Sequence, residues 1–103
     1  MKAVKVQYTA KSEYVEKNSE NIRAVMEELR ALAHPGIKYS TFLQDDGKSF
    51  VHFAIVESDE ANKVLTGLGS FKKFQEELKA SGPEVPPKAE TLSLVASCYD
   101  FFG

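Results

Sequence analysis

At 103 residues, 43% of them hydrophobic, the chain has the length of one domain spanning 1–103, enough to bury a core, with an open sheet face that a second copy would cover. A formal net charge of −2 and a pI near 5.7 leave no basic footprint for nucleic acid, and no apolar run approaches membrane-spanning length. The single cysteine, Cys98, cannot staple the fold and has no CxxC or Cys/His spacing around it, which argues against a structural zinc site and favours a reducing compartment; a small core residue in the last strand is the expected role.

The N-terminal MKAVKVQYTA alternates Val4, Val6 and Tyr8 with Lys5, Gln7 and Thr9, the period of a strand, and lacks the continuous apolar core of a signal peptide, so a cytoplasmic protein is expected. From about Ser12 the period changes. Val15, Ile22, Val25, Met26, Leu29, Leu32 and Ala33 recur at three- and four-residue steps, predicting an amphipathic helix to about Ala33. Pro35 cannot continue it, Gly36 can take a left-handed cap, and His34 sits where a cation suits the dipole, a structural position. Asn18 falls on the apolar stripe, where its amide either caps a bend or faces a cavity.

Ile37 to Leu43 reads as a second strand, and Gln44-Asp45-Asp46-Gly47 as the loop of a hairpin. The strand after that loop, Lys48 to Glu57 (KSFVHFAIVE), is the most apolar stretch of the chain. Alternation puts Phe50, His52, Ala54 and Val56 on one face and Ser49, Val51, Phe53 and Ile55 on the other, so an imidazole is aimed at an interior. Ser58 with Asp59 and Glu60 starts a short helix to about Leu65. Gly67 and Gly69 interrupt it, and a segment from about Ser70 carries Phe71, Phe74 and Leu78 at core spacing until Ser81-Gly82-Pro83. Gly82 to Ala89, with Pro83, Pro86 and Pro87, reads as an extended connector to a last strand at Thr91–Cys98. The aromatic tail, Tyr99, Phe101 and Phe102, is expected to contact a partner.

Strand, helix, strand, strand, broken helix, strand is the order of a ferredoxin-like βαββαβ α+β fold, with a four-stranded antiparallel sheet and helices on one face. Val4, Val6, Tyr8, Tyr39, Val51, Phe53 and Ile55 are available for the bare face, and isologous pairing would cover it, so a homodimer is expected.

Three stretches resemble a known family: His34-Pro35-Gly36-Ile37 entering the second strand, DDGKSFVHFAIVES from Asp45 to Ser58, and Leu65-x-x-Leu68-x-x-Phe71-x-x-Phe74. Together they resemble the antibiotic biosynthesis monooxygenase-like domains of the dimeric α+β barrel superfamily. The resemblance implies a pocket between sheet and helices with a polar amide residue of strand three pointing into it, a place held here by His52. Such oxygenases often set a tryptophan four residues later, where this chain has Val56, and there is no tryptophan at all. The haem-degrading branch of the fold needs an axial ligand after strand three. No histidine follows His52, and His34 lies at a remote helix end, so neither haem nor a two-histidine metal site is expected, nor any cofactor.

On this reading the chain is a cofactor-independent monooxygenase of a small aromatic or quinol-like compound. His52, with an ordinary imidazole pKa of ~6.5, is the catalytic base for a phenolic proton. Gln7, Asn18 or Ser40 would bond the substrate oxygen, and Phe42, Phe50 and Val56 would contact the ring. The alternatives are a core histidine bonded to a neighbour, within a non-catalytic dimer that binds a small ligand or serves as a structural or regulatory protein. An open volume beside His52 separates the first two functions from the last.

Overall fold

The computed structural model describes Met1–Gly103. Strands β1 (Lys2–Thr9), β2 (Ile37–Leu43), β3 (Ser49–Val56) and β4 (Val85–Leu92) form one antiparallel sheet in the order β2-β3-β1-β4. Helices α1 (Val15–Leu32), α2 (Asp59–Gly67) and α3 (Gly69–Ser81) cover one face, and a single 3₁₀ turn, Ser12–Tyr14, leads into α1. The core holds Tyr8, Phe50 and Val56 from the sheet, Ile22 and Val25 from α1, Ala61 and Leu65 from α2, and Phe71, Phe74 and Leu78 from α3. This is the ferredoxin-like α+β arrangement that the element order predicts.

Local chemistry sets the boundaries. Asp46 accepts from the Lys48 and Ser49 backbone N–H groups at 2.9 and 2.8 Å, which pins the hairpin and holds its exposed carboxyl below the usual range, the Ser49 hydroxyl contributing most. Ser58 caps α2, its hydroxyl accepting from Ala61 N at 3.2 Å. At the end of α1 the expected cap is corrected: Ala33, not Gly36, is left-handed, with φ 51°, and its N–H returns to Leu29 O at 3.0 Å. Gly36 instead sits where space is tight. A β-carbon there would stand 3.1 Å from the His34 ring and 3.2 Å from the Glu57 carboxylate, while the Gly36 N–H donates to His34 Nδ1 at 3.0 Å.

Two further expectations change. The last strand is Val85–Leu92, not Thr91–Cys98, so the proline-rich segment read as a connector is itself β-structure. Strand β4 pairs only with β1 and carries a register irregularity opposite Gln7–Thr9; an edge strand with a bulge tolerates Pro86 and Pro87, which lack the N–H a central strand needs. Cys98 therefore lies exposed in the tail beyond the sheet rather than in a core strand. The second change concerns the faces. In antiparallel register Tyr8 stands opposite Phe50, Val6 opposite His52, and Tyr39 and Val4 opposite Ala54. Val4, Val6, Tyr8 and Tyr39 thus share the helix-covered face with His52, and not the bare one. The bare face carries Lys5, Gln7, Ser40 and Phe42 beside Val51, Phe53 and Ile55, with Tyr99 and Phe101 of the tail lining a shallow hollow against Phe53 and Ile55. No helix is long and apolar enough to cross a membrane.

Candidate active site between sheet and helices

His52 sits at the middle of β3, one strand from the sheet's edge on one side and opposite Val6 of β1 on the other, and is only 2% exposed. A buried imidazole needs partners on both nitrogens, and both have them. Tyr8 Oη lies 2.8 Å from Nε2, Tyr39 Oη 2.7 Å from Nδ1, and Thr41 Oγ1 3.0 Å from Nδ1. Behind this group Asn18, fully buried on α1, donates from Nδ2 to Tyr8 Oη at 2.8 Å. Phe50 stacks on Tyr8 (ring centroids 5.5 Å apart), and Phe74 lies 5.3 Å from the imidazole.

Burial decides the charge state of this network. It pulls the His52 imidazole down to about 4, well below the ~6.5 expected for an unperturbed ring. Burial likewise raises both phenols above their ordinary range, at Tyr8 against a smaller opposing effect of the Asn18 bond. No carboxylate faces the ring to reverse this, so near neutrality the imidazole and both phenols are uncharged. A neutral imidazole carries one N–H, so one tyrosine accepts from it and the other donates to it. With the proton on Nδ1, Tyr8 accepts from Asn18 and donates to Nε2; with it on Nε2, Tyr8 Oη accepts from both His52 and Asn18, its own O–H is left without an acceptor, and Nδ1 accepts from Tyr39.

In front of the network is an open volume of about 390 Å³, within the range of small-ligand sites. Tyr8, Tyr39 and His52 form its floor with Val6; Phe71 and Phe74 of α3 form its wall. Pro83, Pro86 and Pro87 close the β4 side, and Gln75 and Lys79 stand at the rim. The cavity lies where α3 and the proline-bearing strand flank the sheet on either side of His52. It offers flat apolar walls and one hydroxyl-bearing floor, the chemistry of a neutral aromatic ligand with an oxygen substituent. No cluster of three or more His, Cys, Asp or Glu side chains gathers anywhere in the chain to hold a metal ion.

Of the residues singled out in the sequence, the fold brings His52 to the cavity floor and Asn18 to its second layer, through Tyr8 rather than into the open volume. Phe50 is packed beneath Tyr8, and Val56 lines a smaller hollow further along β3. Gln7, Ser40 and Phe42 stand on the opposite face of the sheet, opposite Val51 and Phe53, and do not reach this cavity. The residues that sequence reasoning missed are Tyr8, Tyr39 and Thr41. A signal for two of them was present: the Gln44–Gly47 loop sets Leu43 opposite Phe50, and counting back along the hairpin puts Thr41 opposite His52 and Tyr39 opposite Ala54.

No protein-family model matches the chain, and no curated protein matches it in sequence. Solved structures do match. A protein of Bacteroides thetaiotaomicron provisionally named an antibiotic biosynthesis monooxygenase superposes with a TM-score of 0.82 at 13% identity, over 96% of this chain and 93% of that one. A similarly named protein of Nitrosomonas europaea gives a TM-score of 0.78 at 15% identity, over 93% and 100%. A cofactor-independent oxygenase from Streptomyces nogalater gives 0.71 at 11% identity, over 96% and 97%. The chain has the fold of the antibiotic biosynthesis monooxygenase-like proteins, as its sequence resemblance implies.

Proposed function

We propose that this chain is a cofactor-independent monooxygenase acting on a small aromatic or quinol-like compound, and that it works as a homodimer. The observation that carries the reading is the Tyr39–His52 hydrogen bond of 2.7 Å in the floor of an apolar cavity of about 390 Å³. The fold's likeness to structures bearing monooxygenase names supports the same class.

The proposed reaction needs no metal or external reductant, because the substrate carbon supplies all four electrons that reduce dioxygen. A ring system holding a CH₂ that enolises to a phenol binds with its oxygen on Tyr39. Its phenolic proton passes to Tyr39 as the Tyr39 proton passes to His52 Nδ1, a transfer uphill against an imidazole held near 4, so the electron-rich phenolate forms only transiently, as its electron leaves. One electron moves to dioxygen, and the radical pair joins as a C–O bond at the former CH₂ carbon, giving a peroxide anion. The imidazolium, made acidic by its burial, returns the proton to that peroxide. Loss of water then leaves a carbonyl: the CH₂ and O₂ become C=O and H₂O. His52 acts in this scheme through Tyr39, since neither ring nitrogen is unoccupied.

Oxygen uptake by the purified protein with anthrones, hydroquinones and catechols tests the reading. Uptake that falls at least tenfold in Tyr39→Phe, with the fold retained, is the expected result. Saturable binding of these compounds without any uptake would assign the cavity to a non-catalytic ligand-binding protein, a reading favoured by the same saturation of both His52 nitrogens.

A further inference from the structure

A second, smaller hollow of about 150 Å³ lies further along β3 on the same face. Its origin is one residue. Along the helix-facing side of β3, Phe50, His52 and Val56 are sizeable and Ala54 is not, and Ala54 stands between Val4 of β1 and Tyr39 of β2 in direct cross-strand register. The missing bulk is not refilled from above: α2 contributes Leu65 and α3 contributes Phe71, and the space between them and Ala54 stays open.

The interior of this hollow is apolar, built of Val4, Ala54, Val56 and Leu65, while its polar residues, Lys2, Asn62 and Thr66, are half-buried or exposed. The polar atoms on its inner side are committed elsewhere. Both His52 nitrogens are bonded to side chains, and the Tyr39 hydroxyl is bonded to His52, which leaves the Tyr39 oxygen as a lone acceptor on that side, short of the partners a buried water needs. A water inside would lack the two to four partners that hold buried water, and apolar cavities of this size stay dry and take up small apolar guests. The hollow also abuts the larger cavity, because Val6, Tyr39, His52 and Phe71 line both.

We propose that this hollow is a binding site for a small apolar gas, and that in the reaction proposed above the gas is dioxygen, held beside Tyr39 and His52 where the hollow abuts the cavity of the aromatic ligand. The choice of dioxygen rests on that reaction; the affinity for an apolar gas does not.

Xenon is the probe that separates the two. Crystals of the full chain under xenon pressure should show one xenon per chain among Val4, Ala54 and Leu65, and Ala54→Leu, which fills the space, should abolish it. If that variant does not fold, Val4→Phe, which sets a ring into the hollow from β1, must give the same loss. Ordered water in the hollow, or no xenon there in the wild-type chain, overturns the site. With an active substrate in hand, the filled variant should raise the KM for dioxygen several-fold and leave the KM for the aromatic compound unchanged; equal changes in both, or none, overturn the assignment to dioxygen. Xenon binding with no oxygen uptake on any compound would leave the gas site standing and remove the proposed reaction.

Discussion

His52 is buried without a countercharge, and the consequence is a pH-dependent stability that can be measured without knowing any substrate. Above pH ~6.5 the imidazole is neutral whether the chain is folded or not, and contributes nothing to the slope. Between 6.5 and about 4 the unfolded chain binds a proton there and the folded chain does not, so stability falls as the pH drops through this window. The full loss is roughly 3 kcal/mol. Carboxylates titrate in the same range, so the difference between wild type and His52→Gln isolates the ring. Urea midpoints of the two should converge as the pH falls from 7 to 4. Parallel lines would mean that the ring is solvated or countercharged in the folded protein. Tyr39→Phe belongs to the same scale: it takes one partner from Nδ1 and leaves Thr41 at 3.0 Å, so it should cost about 1 kcal/mol by chemical denaturation, small beside its expected effect on oxygen uptake.

Among the elements, α1 ends against the usual rule. A left-handed Ala33 pays the steric cost of its β-carbon, about 1 kcal/mol, where glycine pays none. Ala33→Gly should therefore stabilise the protein by ~0.5 to 1 kcal/mol, read as a higher melting temperature; a lower one would show that the Ala33 methyl is packed. The reason this end was misassigned in the sequence also explains the other misreadings. Pro35-Gly36 is a stop signal of general meaning, but which residue turns left-handed depends on the room around it, and Gly36 is placed by its neighbours His34 and Glu57. Elements with unbroken periodicity, the α1 stripe and the Ile37–Leu43 and Lys48–Glu57 strands, were legible because their patterns and their burial agree. β4 was not, since its strand character comes from pairing with β1 at an edge and not from its own residues, two of which are prolines. The site divided in the same way. His52 was visible as a polar residue in an apolar strand, whereas Tyr8 and Tyr39 became neighbours of the ring only through register between strands, and an apolar-looking alternation could be laid on either face of the sheet.

The whole molecule leaves one question of covering. The helix-free side of the sheet carries half-buried Phe53 and Ile55 about a buried Val51, with Phe42 58% exposed beside them, and the tail beyond β4 exposes Val95 to 98% and Tyr99 to 62%. Apolar surface of this kind in a chain of 103 residues is the mark of an interface. With the corrected register the proposed homodimer seam consists of Phe42, Val51, Phe53 and Ile55, with Val6 removed from it, and the rings of Phe42 and Phe53 already meet edge to face at 6.0 Å. Light scattering at micromolar concentration should give twice the 11.4 kDa chain mass. Phe53→Asp should then dissociate or unfold the protein, because an unpaired carboxylate in a dry seam costs several kcal/mol, on the order of the total stability of a small domain. The two measurements interlock: a wild-type monomer would mean that the tail alone covers this face, while a Phe53→Asp dimer of unchanged melting temperature would mean that the copies meet elsewhere and that this side of the sheet is wet.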